Sequence, residues 1–369
     1  MLKRMDLTNF KCYAKASVPF GGLTVFSGAN GAGKSTIIQA LLLMRQQLQR
    51  GRIANDSPAV LNGKLVRLGA ALDVIPSFLT GHVDQTVDIR VVSDDGEAKL
   101  QLARSSADQD GRELLVKDHF YPAGWFVEDS FAYLSADRIG PRLSYAVPEA
   151  GDNSNPYGSR GEFAVHWLDL FASKAPANTA LIQRLGVGDD DSLSGCLNAC
   201  LEPIHQGTRV RTQRFADAGQ LSLSFSFWTG QTWSRDYRAI NVGFGLTFVL
   251  PIYVALLRAS PGDLVIVENP EVHLHPKGQT AIGRFIAQVA ATGVQIVVET
   301  HSDHLLNGIR LAVKEHQVRH EDVMLHFVTN DDGAGGAQIV TPHLQPSARI
   351  DFWPPGFFDE FENVQMRLF

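Results

Sequence analysis

The stretch GANGAGKST, Gly28–Thr36, decides the fold. Gly28, Gly33, Lys34 and Ser35 satisfy the pattern G-x-x-x-x-G-K-[ST] of a phosphate-binding loop. Each residue type has a reason. Glycines let the backbone curl so that successive N–H groups face phosphate oxygens. Lys34 carries a mobile point charge to the β- and γ-phosphates, and the Ser35 hydroxyl can ligate Mg²⁺. The apolar run Leu23–Phe26 precedes the loop as a strand would, and Ile37–Leu43 follows as a helix would. That order places phosphates at a helix N-terminus.

The chain has 369 residues, 44% hydrophobic and 20% charged, which suits a folded protein with a substantial core. A formal charge of −6 gives no overall basic field for nucleic acid, so any such contact must be local. Cys12, Cys196 and Cys200 are too few for a disulfide framework. Cys196, Cys200 and His205 allow a metal site, but two small apolar residues on one helix face explain the cysteines more simply. The opening MLKRMDLTNF lacks an apolar stretch of signal-peptide length, and Phe244–Leu257 is too short to span a bilayer. A cytoplasmic protein is expected.

Working outward, residues 2–10 read as a strand that turns near Phe10 and Tyr13 towards Leu23–Phe26. Ile37, Leu41, Met44 and Leu48 keep helical spacing up to Gly51. Val87–Val92, the turn Asp94-Asp95-Gly96 and Lys99–Ala103 form a hairpin signal, which predicts an antiparallel flank. Residues 148–161 read as a loop. Helical patterns cover 161–173, 176–186 and 192–204, and Leu221, Leu223, Phe225 and Phe227 alternate with serines as a strand. Leu264–Val267, Gln279–Ala291, Val294–Val298, His304–Lys314 and Val323–Val328 then alternate strand and helix. That rhythm predicts a mostly parallel sheet covered on both faces. The expected domains are 1–140, the first half of the core with the β flank; 141–207, a helical insertion; and 208–369, the second half of the core.

A phosphate loop needs an acid at the end of a neighbouring buried strand to hold Mg²⁺ together with Ser35. Asp263-Leu-Val-Ile-Val-Glu268 supplies it, and ENPEVHLHP follows directly. About thirty residues later a second apolar strand ends in ETHSDH. Parallel strands that deliver polar clusters at their carboxyl ends are where α/β sheets build ligand sites. His273 and His275, as H-x-H with His301 and His304, also allow a metal reading if the segment is a strand.

With these motifs the chain resembles ABC-type ATPases of the SMC/RecF/OLD-like AAA group. NFKCY, GANGAGKST, VIVENPEVHLHP and VVETHSDHLL occur in that family's order. LSADRIGPR (Leu134–Arg142) and the tail FWPPGFFDEF resemble a narrower prokaryotic branch with a C-terminal domain of unknown function and relatives in phage-defence systems. The implied fold is an α/β P-loop NTPase core, ABC/SMC head-like, with an antiparallel β flank and a helical insertion. The implied cofactors are ATP, along Gly28, Ala29, Asn30, Gly31, Ala32, Gly33, Lys34, Ser35 and Thr36, and Mg²⁺ at Ser35 and Glu268. Val242, Gly243 and Gly245, in NVGFGL, fall where the family's signature meets the γ-phosphate held by a second subunit, which implies a homodimer with ATP at its interface. The alternative is a glycine-containing loop entering a helix over Leu246–Leu257. His301 corresponds to the switch histidine, and HLHP to the loop that crosses the dimer interface.

One position departs from the family. Where a second acid usually orients the attacking water, this chain has Asn269, and Glu271 is the available base. Slow hydrolysis is expected, with Lys34, Glu268, Asn269, Glu271 and His301 as catalytic residues and ATP acting as a dimer clamp. Gln85 is a weak candidate for the Mg²⁺-contacting glutamine, and Asp331-Asp332 reads as a hairpin turn. With about 40 residues after Val328 and no second catalytic constellation, a separate effector, a nuclease or toxin, is the expected partner. Two other readings remain: a DNA-repair ATPase that grips phosphates through Arg209, Arg211, Arg214, Arg235 and Arg238, and a non-hydrolysing scaffold.

Overall fold

A computed structural model of the chain describes residues 1–49, 53–76, 86–104, 111–122, 130–148, 155–331, 336–358 and 360–368. Gly51, Gln85 and Asp332 lie outside the described residues, as does part of the 148–161 loop. The chain divides into two compact units. Met1–Val127, Val323–Leu344 and Ile350–Phe369 form one; Glu128–Asp322 and Gln345–Arg349 form the other.

The first unit opens with β1 (Leu2–Phe10) and β2 (Tyr13–Pro19), an antiparallel pair closed at Phe10 opposite Tyr13. β3 (Leu23–Gly28) is buried along its first five residues, as a strand covered on both faces must be. The phosphate loop leads into α1 (Lys34–Gln49), a helix buried on nearly every side, polar Arg45, Gln46 and Gln47 included. Its buried Gln46 is satisfied by the following loop: the backbone N–H groups of Leu65 and Val66 donate to its Oε1. A short α2 (Ala71–Val74) comes next. The Asp94-Asp95-Gly96 signal is realised as the hairpin of β4 (Thr86–Ser93) and β5 (Gly96–Arg104), and β6 (Leu114–Phe120) extends it. β1 pairs antiparallel with β4, so this flank is antiparallel throughout in the order β2-β1-β4-β5-β6.

The second unit begins with β7 (Phe131–Leu134) and the short β8 (Tyr145–Ala146). The helical patterns appear as α3 (Ala164–Phe171), α4 (Thr179–Leu185) and α5 (Leu193–Leu201). Asn178 and Ser192 cap α4 and α5, accepting from the N–H groups of Leu181 and Gly195, and left-handed Gly186 ends α4. Cys196 and Cys200 are buried on α5, as expected of small apolar residues. A layer of β9 (Thr208–Phe215), β10 (Gln220–Phe227) and β11 (Tyr237–Arg238) follows. α6 (Phe244–Arg258), β12 (Leu264–Glu268), α7 (Pro276–Ala290), β13 (Gln295–Glu299) and α8 (Asp303–Lys314) complete the unit. β12 runs parallel between β7 and β13, so the carboxyl ends of these strands open on one side. α7 and α8 cross backbone to backbone. A Cβ on Gly283 would lie 2.2 Å from the Leu305 carbonyl oxygen, and one on Gly308 would lie 2.1 Å from that of Thr280.

The chain then returns to the first unit as β14 (Val323–Asp331), parallel to β3, and β15 (Gly336–Val340), antiparallel to β14. α9 (Glu360–Leu368) ends the described chain. Among the described residues, no helix is long and apolar enough to cross a membrane.

Candidate functional site

In the first unit the phosphate loop joins β3 to α1. Gly28, Gly31 and Gly33 have φ values of 137°, 76° and 111°, conformations that favour glycine. Space matters as well. A Cβ on Gly28 would sit 2.2 Å from the Val328 carbonyl oxygen, and one on Gly33 would sit 2.5 Å from Cys12 Sγ. The Tyr13 hydroxyl donates to the Gly33 carbonyl at 3.1 Å, and Lys11 Nζ reaches Gln39 Oε1 on α1 at 2.8 Å. Lys11, Cys12 and Tyr13 of NFKCY therefore pack directly on the loop and on α1. Lys34 is 3% exposed, and its Nζ donates to the carbonyls of Gly28 and Ala29 at 3.0 and 2.8 Å. Ala29, Asn30 and Gly31 are exposed, Ala32 and Thr36 buried, and Ser35 half-buried. α1 starts at Lys34, so the N-terminus of the helix, with its partial positive charge, lies at the loop. The cradle, the lysine and the serine hydroxyl all fit a nucleotide polyphosphate with Mg²⁺.

In the second unit Glu268 stands at the carboxyl end of β12. Its Oε1 accepts from the Tyr133 hydroxyl at 3.1 Å and its Oε2 from the Ala136 N–H at 3.0 Å. Burial pushes its pKa up; those two hydrogen bonds and the Arg138 charge pull it back. Arg138 is 2% exposed and is the centre of the cluster. Nη1 donates to the carbonyls of Ser135 and Glu268 at 2.8 and 2.5 Å, and Nη2 to that of Asn269 at 2.6 Å. Desolvation lowers its pKa to about 10, against the attraction of Glu271 and Glu268.

Asn269 has a left-handed φ of 45°, and its N–H donates to the Glu299 carbonyl at 2.7 Å. Its Oδ1 is buried without a protein partner. Glu271 is buried too. Its Oε1 accepts the His301 N–H at 2.8 Å, its Oε2 has no protein partner, and burial raises its pKa. The His301 ring is exposed, and Ser302 caps α8 by accepting from the Leu305 N–H. Glu268, Asn269 and Glu271 thus gather around one buried guanidinium, and His301 joins them through its N–H bond to Glu271.

Gly243 caps α6 and is exposed, while Phe244 beside it is 57% exposed. Val242 is half-buried, and a Cβ on Gly245 would come 2.7 Å from the His273 carbonyl oxygen. The glycine-opened helix therefore lies against the HLHP segment, and the two border a cavity of about 530 Å³ with His205, Phe227 and Tyr237. Neither histidine is in a strand: His273 lies in a turn with a φ of 64°, and His275 is the N-cap of α7. The alternation that would aim both rings one way does not apply to them. Among the described residues, no group of three or more His, Cys, Asp or Glu side chains could hold a metal ion.

Three family profiles match the chain. "AAA ATPase domain" covers residues 1–99, "AAA domain, putative AbiEii toxin, Type IV TA system" covers 136–307, and "Protein of unknown function (DUF3696)" covers 318–368. The chain is an AAA ATPase with a C-terminal DUF3696 segment. The two AAA matches include the phosphate loop on one side and Arg138, Glu268 and His301 on the other, and the fold is that of an α/β P-loop NTPase.

This AAA ATPase is 30% identical over 93 residues to the DNA replication and repair protein RecF of Acidothermus cellulolyticus, across 23% of this chain and 25% of that one. It is 48% identical over 44 residues to the OLD nuclease of Thermus scotoductus, across 12% of this chain and 8% of that one. The chain thus spans a quarter or less of the curated relatives it matches. An Smc head domain from Pyrococcus furiosus aligns over 100% of this chain and 99% of its own, at 13% identity and a TM-score of 0.48.

The buried support of this cluster was not visible in the sequence reading. Tyr133 and Arg138 are far from Glu268 along the chain, Arg138 by 130 positions, and neither Arg138 in LSADRIGPR nor Glu299 in ETHSDH carried a role in its motif. The one available signal was an arginine embedded in LSADRIGPR just after a short apolar strand.

Proposed function

We propose that this AAA ATPase binds Mg²⁺–ATP between two copies of itself, hydrolyses it slowly, and serves as a sensor or regulatory subunit in phage defence beside a separate nuclease or toxin. The observation that carries the enzymatic part is Glu271. It is a buried carboxylate with one oxygen fixed by the His301 N–H and the other without a protein partner, so it is oriented and still able to accept a proton.

Bound Mg²⁺–ATP supplies the transferable γ-phosphoryl group and a cation that neutralises its charge. The chain supplies everything else. Residues Gly28–Thr36 wrap the phosphates, and Lys34 leaves the Gly28 and Ala29 carbonyls for phosphate oxygens. Ser35 and Glu268 would hold Mg²⁺, which needs only one or two protein ligands beside phosphates and water. Asn269 orients the attacking water, Glu271 takes its proton, and the exposed His301 ring meets the γ-phosphate. Val242, Gly243 and Gly245 of the second copy present the N-terminus of α6 to that phosphate. The defence role rests on the AbiEii-type and DUF3696 matches together.

ATP turnover and light-scattering mass, with and without ATP, test this reading. Wild type should turn over below about ten per second, the rate of an ordinary enzyme, and should dimerise with ATP. Lys34→Ala should lose both properties. Glu271→Gln should lose at least about tenfold in rate, within the usual range for a general base, while keeping the ATP-dependent dimer. Fast wild-type turnover overturns slow hydrolysis. Glu271→Gln matching wild type removes Glu271 as the base. A monomer in saturating ATP removes the clamp.

A further inference from the structure

We infer that the outer face of the β9–β10–β11 layer is a binding platform for single-stranded nucleic acid, read through phosphates and one stacked base. The register makes the face explicit. Across β9 and β10, Arg209, Arg211 and Gln213 lie opposite Ser226, Ser224 and Ser222, and Arg238 of β11 lies opposite Ser224 on the other side. Directly opposed residues share a face, so Arg211, Ser224 and Arg238 form one row across three strands. The alternate residues Val210, Leu221, Leu223 and Phe225 are buried, and on the other face Arg209, Arg211, Gln213 and Arg238 are exposed, Ser222 and Ser224 half-buried and Ser226 buried. Arg214 does not belong to it. Its guanidinium bonds Asp169 of α3 at 2.9 Å, so the five arginines read as one group in the sequence divide between two faces.

Two tryptophans extend the outer face. Trp228 continues the parity of Ser224 and Ser226, and it bridges antiparallel to Trp233. Trp233 lies under the Arg209 guanidinium, 3.7 Å from it, and holds those planar donors in place. Trp228 is 47% exposed, with the Trp233 ring 5.6 Å away and tilted by 59°. A half-exposed indole beside exposed arginines is the composition on which unpaired bases stack. Residues 208–238 carry five arginines against two aspartates in a chain of net charge −6, so positive charge is concentrated here against an acidic background. Asp236, the acid nearest the row, pairs with Arg211 at 3.3 Å and leaves Arg209 and Arg238 in excess.

Serine hydroxyls, planar guanidinium groups and a half-exposed indole match a sugar–phosphate chain with unpaired bases. A base offers its face to Trp228 only when it is out of a duplex, and stacking of this kind tolerates any sequence. The occupant is therefore a single strand rather than duplex DNA or an acidic protein.

Fluorescence anisotropy with labelled oligo(dT) and oligo(U), about 16 nucleotides long to cover the usual site size, tests this without ATP, so its outcome is independent of the ATPase reading. Binding of either oligonucleotide is expected at about 50 mM salt, weakening steeply as salt rises. Trp228→Ala should weaken it about tenfold or more, and Trp228→Phe should recover most of the loss. Arg209→Ala with Arg238→Ala should reduce the slope of log K against log salt by about 1.4, near 0.7 per lost phosphate contact. These side chains are exposed, and an unchanged unfolding midpoint confirms that the variants fold. No binding at low salt, binding indifferent to both sets of variants, or tighter binding of a duplex of the same length would each overturn the proposal.

Discussion

Replacing Arg138 by methionine separates its structural role from its functional one. Arg138 donates three hydrogen bonds to the carbonyls of Ser135, Glu268 and Asn269. At roughly 1.5 kcal/mol for each charge-assisted bond, their loss costs about 4–5 kcal/mol. Against this, the guanidinium is held charged at a site where desolvation lowers its pKa from 12.5 to about 10. At 1.36 kcal/mol per pKa unit, keeping that charge buried costs the folded protein about 3 kcal/mol, which methionine relieves. The terms nearly cancel, leaving a net destabilisation of about 1–2 kcal/mol that a denaturation midpoint can measure.

The effect on function does not cancel. Burial has already raised the pKa values of Glu268 and Glu271, and Arg138 is a cause that lowers both. Without its charge both carboxyls titrate higher, and a larger fraction is protonated at neutral pH. The acid limb of the ATP turnover profile should therefore move to higher pH. Turnover at pH 7 should fall and recover partly as pH is raised towards 9. Arg138→Lys keeps the charge but loses the planar fork, so its acid limb should lie near that of wild type while the maximal rate stays low. If Arg138→Met lowers the denaturation midpoint and leaves the pH profile superimposed on wild type, Arg138 only braces the fold and the electrostatic argument fails.

Three other expectations follow from the same structure. Glu271→Gln preserves the acceptor for the His301 N–H and removes a carboxyl whose folded pKa lies above its ordinary 4.5. The carboxyl's favourable contribution is complete below pH 4.5 and is lost as pH rises through the folded value, so the variant should be the more stable protein at pH 7–8 in thermal melts, with no gain at pH 4. His326, fully buried between Thr341 Oγ1 and the Pro19 carbonyl and stacked on Phe26, has its pKa lowered by desolvation to about 4. Its contribution is present above pH 6.5 and is lost as pH falls towards 4, about 3 kcal/mol in all; a wild-type minus His326→Gln stability difference that is flat over this range refutes it. Gly28→Ala sets a Cβ 2.2 Å from a backbone oxygen, whereas Gly31→Ala meets nothing within 4 Å. Calorimetry without nucleotide should show a loss of about 3 kcal/mol or more for the first and about 1 kcal/mol of left-handed strain for the second, and equal losses would contradict the packing account.

Local signals carried most of the fold. The Asp94-Asp95-Gly96 turn between alternating runs specifies the β4–β5 hairpin from within a dozen residues, because turn chemistry and period-two burial act over that range. Leu264–Val267 and Val294–Val298 announce buried parallel strands, and the phosphate loop announces itself. What stayed hidden depends on contacts across the chain. The Tyr133 hydroxyl reaches Glu268 over 135 positions, and the His301 N–H reaches Glu271 over 30. No periodicity encodes either one. H-x-H was ambiguous for a different reason: strand alternation and a turn leading into a helix can carry the same two histidines, and only the positive φ of His273 separates them. By contrast, the odd spacing of Arg211 and Arg214 already places them on opposite faces of a strand, and the register bears this out, with Arg214 opposite buried Leu221.

The departure at Asn269 has a backbone reason. This residue sits at a φ of 45°, directly after Glu268, with its carbonyl held by Arg138 and its N–H by the Glu299 carbonyl. Both ends of the residue are therefore fixed in the left-handed region. Asparagine enters that region far more readily than glutamate, at a difference of about 1 kcal/mol, because its short amide tolerates the crowding. An acid at this position would be strained and would also bring a further carboxylate beside Glu268 and Glu271, both already hard to ionise. The cluster contains one buried guanidinium to offset such charges, and that group is committed to three carbonyls as well. A base two residues on, at Glu271 as proposed, avoids the strained position, and its carboxylate has the His301 N–H. On this view Asn269 is the residue that the Arg138-clamped turn admits, and a base at Glu271 is the proposal that follows from it.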